Sequence, residues 1–280
     1  TLTSDCSAPG LVVISLSYAA GLEAGSGALV KIIFDVKDAT CFQHTTLSFD
    51  LLELKDKLLN PIPVAKKESN LTLARKGDVN GDCECTSGDA IIALRIAVEL
   101  HDPTDYQRWA ADANEDDDIT SGDAVWILRC AVGLPTAAPS IAPANVHPIS
   151  VNIPNISAET DSIVEIPLLI EPTQFAAGDF AIEFNPDILT VTDVRPGDGM
   201  EHLNFVVNLK QPGKILVSMA SDSAISGSSG SIFIATVKIN ESAKIGAASD
   251  FIIARANIFN EYSQRIPTDV QHGKLTVIEP

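Results

Sequence analysis

The chain has no long apolar run. No stretch approaches the roughly 18–20 residues needed to span a membrane, and the longest early run, residues 11–16, has the length of one strand. Aromatic residues are only 5%, so any core must rest on Val, Ile, Leu and Ala. Positive charge is scarce: 37 Asp+Glu face 19 Lys+Arg, a net charge of −18. A chain this acidic repels phosphate backbones and anionic lipid surfaces, which argues against nucleic-acid or membrane-surface binding, and it attracts cations. The signatures of common catalytic sites are missing too. There is no G-x-S-x-G elbow, no phosphate loop and no G-x-G-x-x-G. The five histidines are scattered, and Cys83-x-Cys85 lacks the two-residue spacing of a zinc or redox motif. These absences argue against an enzyme.

What remains is ample apolar material, 45% of 280 residues, enough for two domains or three. The acid is concentrated. Residues 76–135 hold 13 Asp/Glu and 4 Lys/Arg, a net −9 that is half the chain's −18. Like charge at that density expels a core unless cations neutralise it. Residues 134–148 then carry four prolines among small residues, which reads as an extended linker. Beyond it, apolar runs at 164–170, 180–184, 215–219, 232–239 and 274–278 alternate with Pro, Gly, Asn and Asp clusters, the pattern of an all-β sandwich. Similar runs at 11–18, 28–36, 45–54 and 70–73 predict four N-terminal strands, too few to cover both faces of a sheet. The domain plan is therefore a β segment at 1–75, an acidic module at 76–134, a linker at 135–148 and a β-sandwich at 149–280.

The acidic module is an internal repeat. Residues 86–98 align without a gap on 120–132, an offset of 34 residues, and Asp78-x-Asn80-x-Asp82 aligns on Asp112-x-Asn114-x-Asp116 at the same offset. Each copy reads D-x-N-x-D-x-x-x-x-x-x-D before an apolar helical pattern. Ca²⁺ takes six to eight oxygen ligands, and this spacing points alternate oxygens at one centre. One ion would be held by Asp78, Asn80, Asp82, the carbonyl of Glu84, Thr86 and Asp89; a second by Asp112, Asn114, Asp116, the carbonyl of Asp118, Thr120 and Asp123. The final Asp of each set also suits a helix N-terminus. Both copies depart from the EF-hand rule, with Cys83 and Asp117 at loop position 6 in place of Gly, and Asp in place of Glu at position 12. The helical spacing predicts buried stripes of Ile91, Leu94, Val98 and of Val125, Leu128, Val132. Asp102-Pro103 predicts the start of a middle helix. Trp109 is expected in the core, and Trp126 either in the core or as an exposed anchor.

Residues 77–134 resemble a type I dockerin module, with two F-hand calcium loops each followed by a helix. The resemblance implies docking onto a cohesin through Ser87, Gly88 and Arg95 of one copy and Ser121, Gly122 and Arg129 of the other, in two near-symmetric orientations. Residues 149–280 resemble a cohesin, on the segments 177–197, 213–219, 230–239 and 273–277, which implies a jelly-roll sandwich that receives a dockerin. Residues 1–75 resemble the second half of a cohesin, with residues 10–18 and 27–34 paralleling 213–219 and 230–239; Thr1 would then be a truncation or processing point, with the missing strands supplied by another chain.

The fold expected is thus mainly β with a small α module. The function expected is a non-enzymatic, calcium-dependent scaffold of an extracellular, cellulosome-like assembly engaged in polysaccharide degradation, with cohesin or dockerin modules, including its own kind, as partners. The alternative is a carbohydrate-binding or adhesive sandwich with a structural calcium module. A secreted chain with five cysteines favours bridges, Cys6–Cys41 first and then Cys83 or Cys85 with Cys130.

Overall fold

The computed structural model describes residues 2–17, 28–34, 44–137, 147–227 and 230–279. They divide into two compact units, Thr1–Leu73 and Ala74–Pro280.

The first unit holds three two-stranded ladders: β1 (Leu2–Asp5) with β2 (Val13–Leu16), β3 (His44–Leu47) with β6 (Ser69–Thr72), and β4 (Leu54–Lys55) with β5 (Pro61–Ile62). The expected strand at 28–36 is not a strand over 28–34, and its last two positions lie outside the described residues. No described residue of this unit is buried, and Ile33, Leu58 and Leu59 are each more than three-quarters exposed. The run expected at 45–54 is broken into β3 and β4, separated by residues 48–53.

The second unit begins with three helices, α1 (Ser87–Ala97), α2 (Asp105–Ala111) and α3 (Ser121–Ala131). Twelve strands follow: β7 (Ile149–Asn152), β8 (Ile156–Glu159), β9 (Ile163–Ile170), β10 (Thr173–Glu183), β11 (Leu189–Pro196), β12 (Asn204–Asn208), β13 (Lys214–Gly227), β14 (Gly230–Ile239), β15 (Ala248–Phe259), β16 (Arg265–Ile266), β17 (Thr268–Gln271) and β18 (Gly273–Ile278). They form two sheets. One runs β12-β13-β10-β15-β18-β8, with β16 on β15; the other runs β11-β14-β9-β7-β17. The pairings are antiparallel except β17 with β7 and β18 with β8. All five expected C-terminal strands form; β9, β14 and β18 are slightly longer than their apolar runs, whereas β10 and β13 extend to 11 and 14 residues. The protein is mainly β, and no helix among the described residues is long and apolar enough to cross a membrane.

Period-2 alternation drives the inner faces together. Phe180, Ile182, Ile215, Val217, Met219, Phe233, Val237 and Ile258 fill one core between the sheets. On β10 and β13 the residues between them are also buried, which a one-sided sheet would leave wet. Ala176, Ala177 and Ala220 join the cluster formed by the helices, and Ala181 and Leu216 join Val98 of α1 in a smaller one. The helices therefore cover the outer face of the larger sheet.

The middle helix starts later than the Asp102-Pro103 pair predicts. Thr104 caps it, accepting from Gln107 N at 3.2 Å while Gln107 Oε1 accepts from Thr104 N at 3.1 Å. This reciprocal box satisfies two orphan donors, where Asp102 would satisfy one. Asp102 instead pairs at the surface with Arg108 at 3.3 Å.

Gly197 follows β11 where two backbones nearly touch. A Cβ there would lie 1.8 Å from the carbonyl oxygen of Ser231. The backbone of β14 cannot yield as a flexible side chain would, so Gly197→Ala should destabilise by ~2–4 kcal/mol. A thermal melt of the strand signal checks this; an unchanged midpoint would show that the turn yields freely.

Candidate functional site

The site begins with two loops of the same wiring. In the first, Asp89 Oδ1 accepts from Val79 N and Asn80 N at 2.8 and 2.9 Å, while Oδ2 accepts from Thr86 N and Oγ1 at 2.9 and 2.7 Å. In the second, Asp123 Oδ1 accepts from Ala113 N and Asn114 N at 2.8 and 3.1 Å, while Oδ2 accepts from Thr120 N and Oγ1 at 2.9 and 3.3 Å. Asn80 and Asp82 bond as Asn114 and Asp116 do, through amide-to-carboxylate contacts of 2.8 and 2.9 Å. The N–H groups of Glu84 and Asp118 donate to Asp82 and Asp116 at 2.9 and 3.1 Å. Asp78 Oδ1 accepts from Gly81 N and Asp112 Oδ1 from Asp116 N, at 2.8 and 3.1 Å. Each closing Asp thus staples the start of its loop to the first turn of its helix. Cys83 and Asp117 sit at φ +81° and +72°, the left-handed region that Gly normally occupies at this turn.

All twelve residues assigned to the two ion sites therefore lie in two equivalent loops. Among the described residues, no three His, Cys, Asp or Glu side chains stand together as a metal-holding group; the carboxylates instead face the backbone amides just described. The donor set of carboxylate, amide, hydroxyl and carbonyl oxygen still suits a hard cation such as Ca²⁺. Asp78, Asp89 and Asp123 are fully buried, and among the described residues no Lys or Arg pairs with Asp123. Burial pushes the Asp123 carboxyl up to about 7, with Asp116 and Asp112 adding to the rise and the Thr120 and Asn114 amides opposing it.

The helices then meet the sheet at both ends of their dipoles. At the α3 N-terminus, Ser121 donates to Asp179 Oδ2 of β10 from its backbone N and its Oγ, both at 3.0 Å. Ser218 of β13 donates to Asp179 Oδ1 at 2.6 Å. Gly122 lies flat on Phe259, whose ring carbons would be 2.9 and 3.1 Å from any Cβ, and its carbonyl accepts from Ser263 Oγ at 2.6 Å. At the α1 C-terminus, the carbonyls of Val98 and Ala97 accept from Asn208 Nδ2 at 2.7 Å and Arg255 Nη2 at 3.2 Å. A carboxylate thus faces the positive end of one helix and a guanidinium the negative end of the other, each arrangement worth ~0.3–1 kcal/mol or more when buried. Burial raises the pKa of Asp179, opposed by the Ser218 and Ser121 hydrogen bonds and the Arg255 charge. Arg129, 6% exposed, donates to the Asp222 carbonyl at 3.2 Å, lies 3.9 Å from Glu261 and stacks 5.0 Å over Tyr262.

The structure brings Ser121, Gly122 and Arg129 together on the sheet and leaves Ser87, Gly88 and Arg95 exposed. The apolar stripes differ accordingly. Leu94, Val98, Val125 and Leu128 are buried, but Ile91 and Val132 are 39% and 57% exposed, contrary to the periodicity. The repeat is symmetric, whereas the surface covering it is not. Trp109 is 43% exposed with Lys76 Nζ 5.0 Å over its ring, so it is a surface residue and not core; Trp126 is half-buried beside Gly77. Asp179, Ser218, Asn208 and Arg255 escaped the sequence reading. The one available signal was the run of small or polar residues at outward positions of β10 and β13, Ala177, Asp179, Ala181, Ser218 and Ala220, with Leu216 the large exception.

The cysteines also depart from expectation. Cys6 is a free thiol, so the Cys6–Cys41 bridge does not form; Cys41 lies outside the described residues. Cys83 is disulfide-bonded, whereas Cys85 and Cys130 are free, so neither is bridged to the other or to Cys83. Cys85 is the thiol turned inward beside Cys130. Burial, together with that neighbouring thiol, pushes it up to about 12.

The sandwich beneath these helices is the part of the chain that the family comparison covers. Residues 149–276 match the cohesin domain. Among solved structures, a cohesin from Clostridium acetobutylicum is 23% identical, with a TM-score of 0.42 over 48% of this chain and 92% of that one. A cohesin–dockerin complex from Clostridium thermocellum is 17% identical, with a TM-score of 0.44 over 50% and 99%. A non-cellulosomal cohesin from the hyperthermophilic archaeon Archaeoglobus fulgidus is 17% identical, with a TM-score of 0.42 over 47% and 92%. No curated protein matches the chain.

The raised Asp123 carboxyl has a signed consequence. Between its ordinary 3.8 and about 7, the folded chain holds a proton that the unfolded chain releases. The contribution of Asp123 to the stability of the ion-free chain therefore falls as pH rises through that window. Melting followed by the helical signal in chelator should have a higher midpoint at pH 5 than at pH 8, and Asp123→Asn should flatten the difference. A pH dependence undiminished by Asp123→Asn would assign it to other carboxylates.

Proposed function

We propose that this chain is a non-catalytic, calcium-dependent protein–protein interaction protein of an extracellular, cellulosome-like assembly. The cohesin-matching sandwich receives a dockerin-like helical module on the outer face of its larger sheet, and residues 76–134 are such a module. The observation that carries this reading is the seat of Ser121 on Asp179. A helix N-terminus from the duplicated-loop segment meets a buried carboxylate of the sheet, with Gly122 against Phe259 beside it. Nothing in this contact activates a nucleophile or polarises a bond; every group in it binds and positions.

Asp78, Asn80, Asp82, Glu84, Thr86 and Asp89 would hold one Ca²⁺, and Asp112, Asn114, Asp116, Asp118, Thr120 and Asp123 the other. The ions supply the charge that lets so many carboxylates share small loops, and their binding energy becomes folding energy of the helices. The chain's own residues fix the loops: Asp89 and Asp123 tie each loop to its helix, and Tyr106 donates its hydroxyl to the Asp78 carbonyl from α2.

Hydrogen exchange of the whole chain tests the calcium dependence. Removing calcium with chelator should speed exchange in 87–97 and 121–131 by about tenfold or more while β9 and β14 hold their protection. Calorimetry should count two ions. Unchanged exchange in both helices would sink the calcium reading and leave the cohesin match of 149–276 standing.

A further inference from the structure

We propose that the chain is self-occluded: its own segment 76–134 fills the receptor face of its own sandwich, so an external helical module must displace it to bind. The inference rests on the reading above, that this face receives such a module, and goes beyond it by assigning the occupant. The sheet face is sealed at three points. Asp179 takes Ser121 at the centre, Arg129 reaches the Asp222 carbonyl and Tyr262 on one side, and Asn208 with Arg255 caps α1 on the other. Ser121, Ser218 and Asp179 are each 1% exposed or less, so no second protein reaches that carboxylate while α3 is seated. The outward residues between these points, Ala177 and Ala220, are fully buried under the helices as well.

Covalent connection strengthens the seal. A tether as short as residues 135–148 holds the segment at an effective concentration on the order of millimolar. An outside module of micromolar intrinsic affinity then meets a site already filled, and its apparent affinity falls by about a hundredfold or more. The repeat itself supplies the control. Gly122 abuts Phe259, whereas its counterpart Gly88 meets only its neighbour Thr86 Oγ1, at 3.3 Å from a Cβ. Leu at either position favours the helix equally, but only at 122 does it strike the sheet.

The experiment uses whole chains in millimolar calcium. Asp179→Arg removes the seat from the sandwich and leaves the helical segment intact, so this variant is the soluble probe. Wild type, Gly122→Leu and Gly88→Leu are immobilised in turn. Gly122→Leu should capture the probe about a hundredfold or more tighter than wild type does, and Gly88→Leu should behave as wild type. Equal capture by wild type and Gly122→Leu overturns the occlusion but leaves the receptor reading intact. No capture by any of the three overturns the receptor reading itself. Exchange in 87–97 and 214–225 checks that Gly122→Leu remains folded, and Ser121→Glu, whose carboxylate repels Asp179 at the same seat, replaces it if it does not.

Discussion

A carboxylate withdrawn from water must find hydrogen-bond donors or a counter-charge, and Asp179 finds both on the outer face of the sandwich. Ser218 supplies one donor from the neighbouring strand, Ser121 supplies two from the first turn of α3, and the Arg255 charge lies close by. Each hydrogen bond to such a group contributes ~1.5–3 kcal/mol, and losing the donors would leave a buried charge unpaired. That requirement sets what surrounds it. The sheet must be flat and small-chained there, hence Ala177 and Ala220. The helix must come within contact distance of Phe259, hence Gly122. Arg255 then serves twice, offsetting Asp179 and meeting the carbonyl end of α1.

The helical segment holds its shape by a separate device, used twice. Asp89 and Asp123 each accept four hydrogen bonds, two from the start of the loop and two from the capping Thr. With the closing Asp wired alike in both, the two copies pack together around Val79, Ala90, Leu94, Ala124 and Leu128. The outside of the pair has no such equivalence. One sheet face covers the N-terminus of α3 and the C-terminus of α1, presenting Asp179 to the one and Arg255 to the other, a charge of suitable sign for each dipole end.

Much of this was legible in the residues themselves. The 34-residue repeat located both loops, and its D-x-N-x-D spacing named the carboxylates that organise them. Proline and glycine clusters marked the turns between five of the sandwich strands. The long strand β15, β11, the short β7, β8, β16 and β17, and the edge strand β12 went unread; in β12 and β15 polar residues such as Asn208 and Arg255 break the apolar run. Asn208 and Arg255 are outward residues that meet the last turn of α1. Periodicity treats them as solvent-facing, and only the covering helix makes them interior.

Local pattern therefore determined what each segment is: paired Asp/Asn loops at 78–89 and 112–123, helices after them, strands beyond 149. Spacing along the chain is enough for that, because loop wiring and side-chain alternation involve residues at most about a dozen positions apart. Tertiary structure decided which of two nearly identical faces is used. Ser87 and Ser121, Gly88 and Gly122, Arg95 and Arg129 are the same residues in the same local setting, and no local rule separates them. Only the second set is buried, because only it stands against Asp179, a residue 58 positions away from Ser121.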